Sequence, residues 1–253
     1  MTNRLHNKRA LITGGTSGIG LETAKQFLAE GARVMVTGSS EESLDEARRQ
    51  LGSDALFLIF SKTDAGNLAE QKKLAQLVED SFGQLDVAFL NAGIGVFMPL
   101  DAWDEAAFDR SLAVNLKGPF FLLQALLGTF ANPASIILNA SVNAHLGVPA
   151  SSVYSMTKAG MISLAKTLSG ELIGRGIRVN TVSPGTVTTP IYGKLGLPDE
   201  ALQQMKDGLI ALTPAHRFGL PVEIAKAVVF LASDESTYAV GSEFILDGGL
   251  TIA

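Results

Sequence analysis

Cysteine is absent from the chain, which excludes a disulfide framework and any thiolate metal site. The three histidines, His6, His145 and His216, lie far apart and lack ligand-like spacing. A protein-built transition-metal site is therefore not expected. Basic charge is in deficit: 20 Lys and Arg against 25 Asp and Glu give a formal net charge of −5. No basic stripe is present to neutralise phosphates, which argues against a nucleic-acid partner. Long hydrophobic runs are also lacking. The most apolar stretch, "PFFLLQALLGTFA", stops at Asn132-Pro133 and is too short to span a bilayer. The opening "MTNRLHNKRALITGG" contains no apolar segment of signal-peptide length. Together with the missing cysteines, this fits a cytoplasmic protein with no membrane partner.

What the chain does have is apolar bulk in a regular rhythm. Of 253 residues, 47% are hydrophobic and 18% charged, enough for one globular domain over residues 1–253. Short apolar runs fall at 10–13, 33–37, 55–59, 87–90, 135–138, 178–182 and 243–246. Helical periodicity separates them at 19–29, 43–51, 68–82, 108–130, 152–172 and 222–231. Strands apolar throughout, rather than alternating, suit a sheet covered on both faces. Repeated β-α-β units then imply a doubly wound parallel α/β sheet of about seven strands, of Rossmann type. Only residues 186–214 break the rhythm. "PGTVTTPIYGKLGLP" opens them with closely spaced Gly and Pro, and a long substrate loop is expected there.

Two constellations carry chemistry. In "LITGGTSGIGLETAKQFLAEGARVMVTG", a strand turns through Gly14, Gly18 and Gly20 into a helix, and a second strand follows. Glycines in that context allow a tight turn and close approach of backbone N–H groups to a pyrophosphate, and the helix N-terminus favours the anion. An acidic residue at the end of the second strand would select NAD(H) by binding the ribose 2′-hydroxyl. Here Gly38 stands at that position and Ser39 follows, so a 2′-phosphate is not repelled. NADP(H) is favoured and NAD(H) remains possible, because Ser39 and Glu42 also spell an S-x-x-E capping box that explains the serine equally well.

The second constellation is "VYSMTKAG". It ends a forty-residue stretch, from Gly118 to Thr157, without one Asp, Glu, Lys or Arg. Tyr154 and Lys158 are four residues apart and share a helix face. A free phenol with a pKa of roughly 10 shuttles protons poorly at neutral pH. A nearby ammonium and an oxidised nicotinamide favour phenolate and are expected to lower that value. Ser141 closes the strand-like "SIILNAS", at the sheet edge where open α/β folds bind ligands.

With "TGGTSGIG" at 13–20, Asp64, "NAG" at 91–93, Asn115 in "VNLKG", Ser141, "YSMTK" at 154–158, "SPGTVTTP" at 183–190 and "DGG" at 247–249, the chain resembles the short-chain dehydrogenase/reductase family over almost its whole length. The resemblance implies an NAD(P)-dependent oxidoreductase acting on a small molecule. On the pyrophosphate side it implies cofactor contacts from Gly14, Thr16, Ser17, Gly18, Ile19 and Gly20. Ser39 would meet the adenosine corner and Asp64 the adenine ring, with Asn91, Ala92 and Gly93 at the adenosine ribose region. Pro184, Gly185, Val187 and Thr189 would flank the nicotinamide, the last two holding its carboxamide. Tyr154 would be the proton donor and Ser141 would orient the substrate oxygen. Lys158 would bind the nicotinamide ribose and lower the phenol pKa, while the Asn115 main chain would hold a water leading from Lys158 to solvent.

Departures from the family pattern narrow the substrate. Leu90 stands where a second asparagine is frequent. The family's enoyl reductases have a longer tyrosine–lysine spacing, which disfavours carbon–carbon double-bond reduction. The resemblance to ketoacyl-carrier-protein reductases is close, but the segment before the fifth strand, "LLGTFANPAS", lacks their basic residues, and Arg175 alone is a thin docking patch. Cleft segments "GIGVF" at 93–97 and "VNAHLGV" at 142–148, and the loop around Tyr192 and Leu195, are mostly apolar. Hydrophobic ketones or aldehydes, aryl ketones and β-keto esters among them, are the expected substrates. His145 is expected either at the cleft mouth or against substrate. A homotetramer packed through the 120–130 helix and the Tyr154 helix is expected from the resemblance. Two other readings stay open: an NAD(H)-dependent alcohol or polyol dehydrogenase, and a non-catalytic cofactor-binding regulator.

Overall fold

The computed structural model describes residues 3–52, 57–190, 193 and 198–252. Seven parallel strands form one sheet in the order β3-β2-β1-β4-β5-β6-β7. The strands are β1 (Arg9–Thr13), β2 (Arg33–Gly38), β3 (Leu58–Lys62), β4 (Leu85–Leu90), β5 (Phe130–Asn139), β6 (Ile177–Pro184) and β7 (Glu243–Leu246). The helices are α1 (Gly18–Ala29), α2 (Glu41–Leu51), α3 (Leu68–Phe82), α4 (Glu105–Leu112), α5 (Gly118–Leu126), α6 (Ser152–Leu172), α7 (Asp199–Leu212) and α8 (Pro221–Ala232). The fold is the Rossmann-type doubly wound sheet that the apolar strands require.

Alternate residues of one strand feed opposite cores, so the runs read as unbroken apolar stretches. In β5, Ile136 and Leu138 join Leu74 and Val78 of α3, Leu122 and Leu126 of α5 and Met161 of α6. Ile137 faces the other way and joins Phe27 of α1 and Val228 of α8. Strand order reverses between β1 and β4, which opens a crevice at their carboxyl ends, the usual ligand position in such sheets. Among the described residues, no helix is long and apolar enough to cross a membrane.

Four local expectations change. The run at 55–59 gives way to β3 at Leu58–Lys62, paired residue for residue with Val34 to Gly38; Ala55 itself lies outside the described residues. As an edge strand with one neighbour, β3 tolerates Ser61 and Lys62, polar residues that end the apolar pattern early. The single helix expected at 108–130 is instead α4, a π-helical segment at Ala113–Lys117, and α5. Asp104 starts it by accepting from the Ala107 N–H at 2.7 Å, and β5 has already begun at Phe130. The 186–214 loop includes α7, whose first turn carries Asp199 and Glu200, a favourable placement at a helix N-terminus. No α7 side chain is fully buried. The cap of α2, finally, is Ser40 and not Ser39: its hydroxyl accepts from the Ser43 N–H at 3.2 Å. Ser39 is exposed one residue before it.

Candidate active site

The turn between β1 and α1 is built by close backbone approach. A Cβ on Gly14 would lie 2.8 Å from Ala92 Cα, and one on Gly20 would collide with the Gly14 carbonyl oxygen. Asn91 holds the turn from β4, its amide nitrogen donating to the carbonyl oxygens of Thr13 at 3.2 Å and Gly14 at 2.9 Å. The N-cap of α1, Ser17, makes no capping hydrogen bond with its side chain, and the helix has no acidic residue in its first turn. The N-terminal field of twelve residues is thus uncompensated by protein charge, which fits a dinucleotide pyrophosphate.

From Asn91 a chain of hydrogen bonds runs to the lysine. Asn139, the last residue of β5, donates from its side-chain amide to Asn91 Oδ1 at 2.9 Å. The Asn139 backbone carbonyl accepts from Lys158 Nζ at 2.7 Å. Neither Asn139 nor Thr157 was singled out by sequence motif. Yet Thr157 accepts from Asn115 Nδ2 at 3.2 Å and donates to the Tyr154 carbonyl at 2.7 Å. Asn115 also brackets Ile94, accepting from its N–H at 2.8 Å and donating to its carbonyl at 2.9 Å. It sits inside the π-helical segment, where the Gly118 N–H reaches back to Ala113. Such a segment alters which backbone carbonyls are left for other partners. A polar residue closing an apolar strand was the available signal for Asn139; Thr157 left none.

Ser141 follows β5 directly, accepts from the Asn143 N–H at 3.2 Å, and hydrogen-bonds the Tyr154 hydroxyl. The Tyr154 ring lies 5.3 Å from Phe97, centroid to centroid, and Lys158 Nζ is 5.7 Å from the Tyr154 centroid. The expected lowering of the phenol pKa does not arise from the protein's own groups. Burial pushes Tyr154 above its ordinary value, and the Ser141 hydrogen bond only partly offsets that. Lys158 is itself pushed down to about 8 by burial, so its ammonium is held against a dielectric penalty. A cationic oxidised nicotinamide, bound near the phenol, would favour its ionised form.

The strand end after β6 completes the crevice. Gly219 donates to the Thr186 carbonyl and accepts from the Thr188 N–H, at 2.8 and 2.9 Å. By strand alternation the Val187 N–H and C=O point away from that bridge. Thr186 Oγ1 and Asn139 Oδ1 are buried without a protein hydrogen-bond partner, an unusual condition that fits a polar ligand. Thr189 closes over the glycine turn, its Cγ2 3.2 Å from where a Gly18 Cβ would stand. Pro184 ends β6, and the Gly185 N–H donates to the Leu246 carbonyl at 3.0 Å. Gly93 lies beside Lys158, whose Nζ is 3.5 Å from a Cβ placed there.

At the adenosine end, Asp64 is held below its ordinary carboxyl value by hydrogen bonding to Arg110, against a desolvation penalty; the contact is 2.9 Å. A Cβ on Gly38 would lie 2.5 Å from Thr16 Cγ2 and 3.0 Å from Ser43 Oγ, so an acidic side chain fits there only if those side chains move. His145 is turned to Glu243 at 2.6 Å, and Glu243 also accepts from Ser183 at 2.6 Å. It therefore sits beside the cleft and not in its lining. The cleft itself, about 840 Å³, has Phe97, Val142, Leu146, Met205 and Leu209 on its walls and no charged lining residue among those described. Tyr192 and Leu195 lie outside the described residues.

A family model described as enoyl-(acyl carrier protein) reductase matches residues 14–251. A crystal structure from Brucella melitensis, titled short-chain dehydrogenase/reductase SDR: glucose/ribitol dehydrogenase, superposes with a TM-score of 0.91. It is 32% identical, and the match covers 99% of each chain. This chain belongs to the short-chain dehydrogenase/reductase family. Among curated relatives, a 3-oxoacyl-(acyl-carrier-protein) reductase of Thermotoga maritima is 37% identical over 98% of this chain and all of its own. The NADP-dependent (R)-specific alcohol dehydrogenase of Lentilactobacillus kefiri is 36% identical over 99% of each. The protein is accordingly an NAD(P)-dependent oxidoreductase acting on alcohols or carbonyl compounds.

Proposed function

We propose that this reductase uses NADP(H) to interconvert small hydrophobic ketones or aldehydes and their alcohols. The observation that carries the reading is the Ser141–Tyr154–Lys158 group beside an apolar cleft with no charged lining residue. When bound, the cofactor supplies or accepts the hydride. Ser141 orients the substrate oxygen, and the Tyr154 hydroxyl delivers the proton to it. The Lys158 ammonium, pinned by the Asn139 carbonyl, binds the nicotinamide ribose, and the Asn115 main chain relays protons through water. The turn residues Gly14, Thr16, Ser17, Gly18, Ile19 and Gly20 hold the pyrophosphate, and Val187 and Thr189 the carboxamide. Residues 186–190 and α7 flank the substrate cleft.

NADP(H) is preferred because Gly38 offers no acidic group to repel a 2′-phosphate and Ser39 is not used as a helix cap. The NADP-dependent relative supports this choice. Carbon–carbon double-bond reduction is not proposed, since Tyr154 and Lys158 keep the four-residue spacing of carbonyl reductases. Exposed Phe120, Phe121 and Met156 support a homotetramer built on α5 and α6, and a cytoplasmic location fits the composition.

The test is initial-rate oxidation of NADPH and NADH with aryl ketones and β-keto esters, in wild type and Tyr154→Phe. Expected is NADPH turnover that falls by about 10²–10⁴-fold in the variant, with cofactor binding retained. Equal turnover in Tyr154→Phe would overturn the assignment. Turnover of polyols but not of ketones would move the reading to a polyol dehydrogenase.

A further inference from the structure

We propose that Lys62, at the end of the edge strand β3, is the cation that binds the cofactor's 2′-phosphate, together with Ser39; this rests on the NADP(H) reading above. No arginine stands between β2 and α2, which only Ser39 and Ser40 join. The sheet supplies a substitute from the neighbouring strand. Lys62 is the register partner of Gly38, about 4.8 Å away across the pair, and the Thr63 N–H donates to the Gly38 carbonyl at 2.8 Å. Register partners in a parallel pair project to the same face. The Gly38 Cβ direction meets Thr16 of the glycine turn and Ser43 and Leu44 at the start of α2, so Lys62 projects to the face that carries both. Gly38 adds no side chain between them. β3 is the sheet edge, and Lys62 is exposed, free to reach over on its flexible stem.

Other cations in this corner are already matched. Arg48 lies over the Phe60 ring at 5.0 Å and pairs with Asp45 at 2.6 Å. Arg49 pairs with Glu46, and Arg110 with Asp64 at 2.9 Å. Lys62 makes no ion pair with a described residue. It acts electrostatically on Glu42, a carboxylate held low mainly by its own backbone hydrogen bond and Ser40, with a smaller contribution from Lys62. Glu42 competes with a phosphate for that charge.

The experiment is equilibrium binding, by calorimetry, of NADPH, NADH, 2′,5′-ADP and 5′-AMP to wild type, Lys62→Met, Ser39→Ala and Glu42→Gln. Binding of NADPH and 2′,5′-ADP to Lys62→Met should weaken on the order of tenfold to a hundredfold, with a shallower salt dependence. NADH and 5′-AMP should bind as to wild type, which also reports an intact fold. Glu42→Gln should tighten 2′,5′-ADP. A wild-type preference for NADPH that survives in Lys62→Met overturns the Lys62 assignment and leaves the cofactor reading standing. A wild type that binds 2′,5′-ADP no better than 5′-AMP overturns both.

Discussion

Replacing Lys158 with methionine separates what the ammonium does for the site from what it does to the fold. The side chain is 5% exposed, its protein hydrogen bond is the one to Asn139 O, and burial moves its pKa from 10.5 down to about 8. A difference of that size corresponds to about 3 kcal/mol against the charged form in the folded state. The sign follows from proton counting. Below pH 8 both states are charged and the full penalty applies; between about 8 and 10.5 the unfolded chain binds more protons than the folded one, so stability rises with pH. The variant lacks this titration. At pH 7 it escapes the penalty but leaves the Asn139 carbonyl unpaired at about 1–3 kcal/mol, so it should be as stable as wild type or up to about 2 kcal/mol more so. By pH 9.5 wild type should have gained about 2 kcal/mol relative to it, roughly 4–8 °C in Tm. Other groups, the raised Tyr154 included, are common to both proteins and largely cancel. Urea midpoints of the two proteins at pH 7, 8, 9 and 9.5 make the measurement. Parallel profiles, with no convergence or crossing toward high pH, would refute the buried-charge argument, whatever the loss of activity.

Two further outcomes check other parts of the structure. Ser40→Ala should lower stability by about 1 kcal/mol through loss of the α2 cap, and Ser39→Ala should leave the urea midpoint unchanged; the reverse would restore Ser39 as the cap. Phe97→Ala removes the ring packed 5.3 Å from that of Tyr154. It should raise KM for aryl ketones about three- to tenfold, the worth of an aromatic pair. A small aliphatic ketone should be affected far less in the same assay, and an equal effect on both would make Phe97 a mere support of the tyrosine.

Elements were legible where one neighbour's chemistry decides them. Helices at 68–82 and 152–172 and the strand at 243–246 have the bounds their periodicity suggests; α3 is framed by Asn67, whose side chain caps it, and by Gly83. Misreadings fall where a partner distant in sequence decides. The polar end of β3 is a strand because Thr37 and Gly38 pair with Ser61 and Lys62. The break between α4 and α5 lies where Gly118 presses on the Ala65 carbonyl, a contact a Cβ would destroy. For the site, Tyr154 and Lys158 are readable because one helical turn joins them. Asn139 and Thr157 are not, because their partners Asn91 and Asn115 lie on other elements, 48 and 42 residues away. Ser39 was ambiguous because either of two adjacent serines satisfies a capping pattern, and only geometry chooses Ser40.

The unfavourable features of this fold collect along one edge of the sheet. A desolvated ammonium, a phenol held above its ordinary value and two of the three buried oxygens without partners lie at the carboxyl ends of β4, β5 and β6, the third being Gln71 Oε1 on α3. A π-helical segment, a rare departure from the α-helix that recurs at functional sites, carries Asn115. The two apolar cores on either face of the sheet support those strand ends. A bound dinucleotide would give Lys158 hydroxyl partners and Thr186 a polar neighbour, so its binding should relieve part of the penalty. Relief of that kind predicts that NADPH binds wild type more tightly than Lys158→Met, and so stabilises it more at the same free concentration. It would appear as a larger ligand-induced Tm shift in wild type at equal free NADPH concentrations, and equal shifts would mean that the buried ammonium is indifferent to the cofactor.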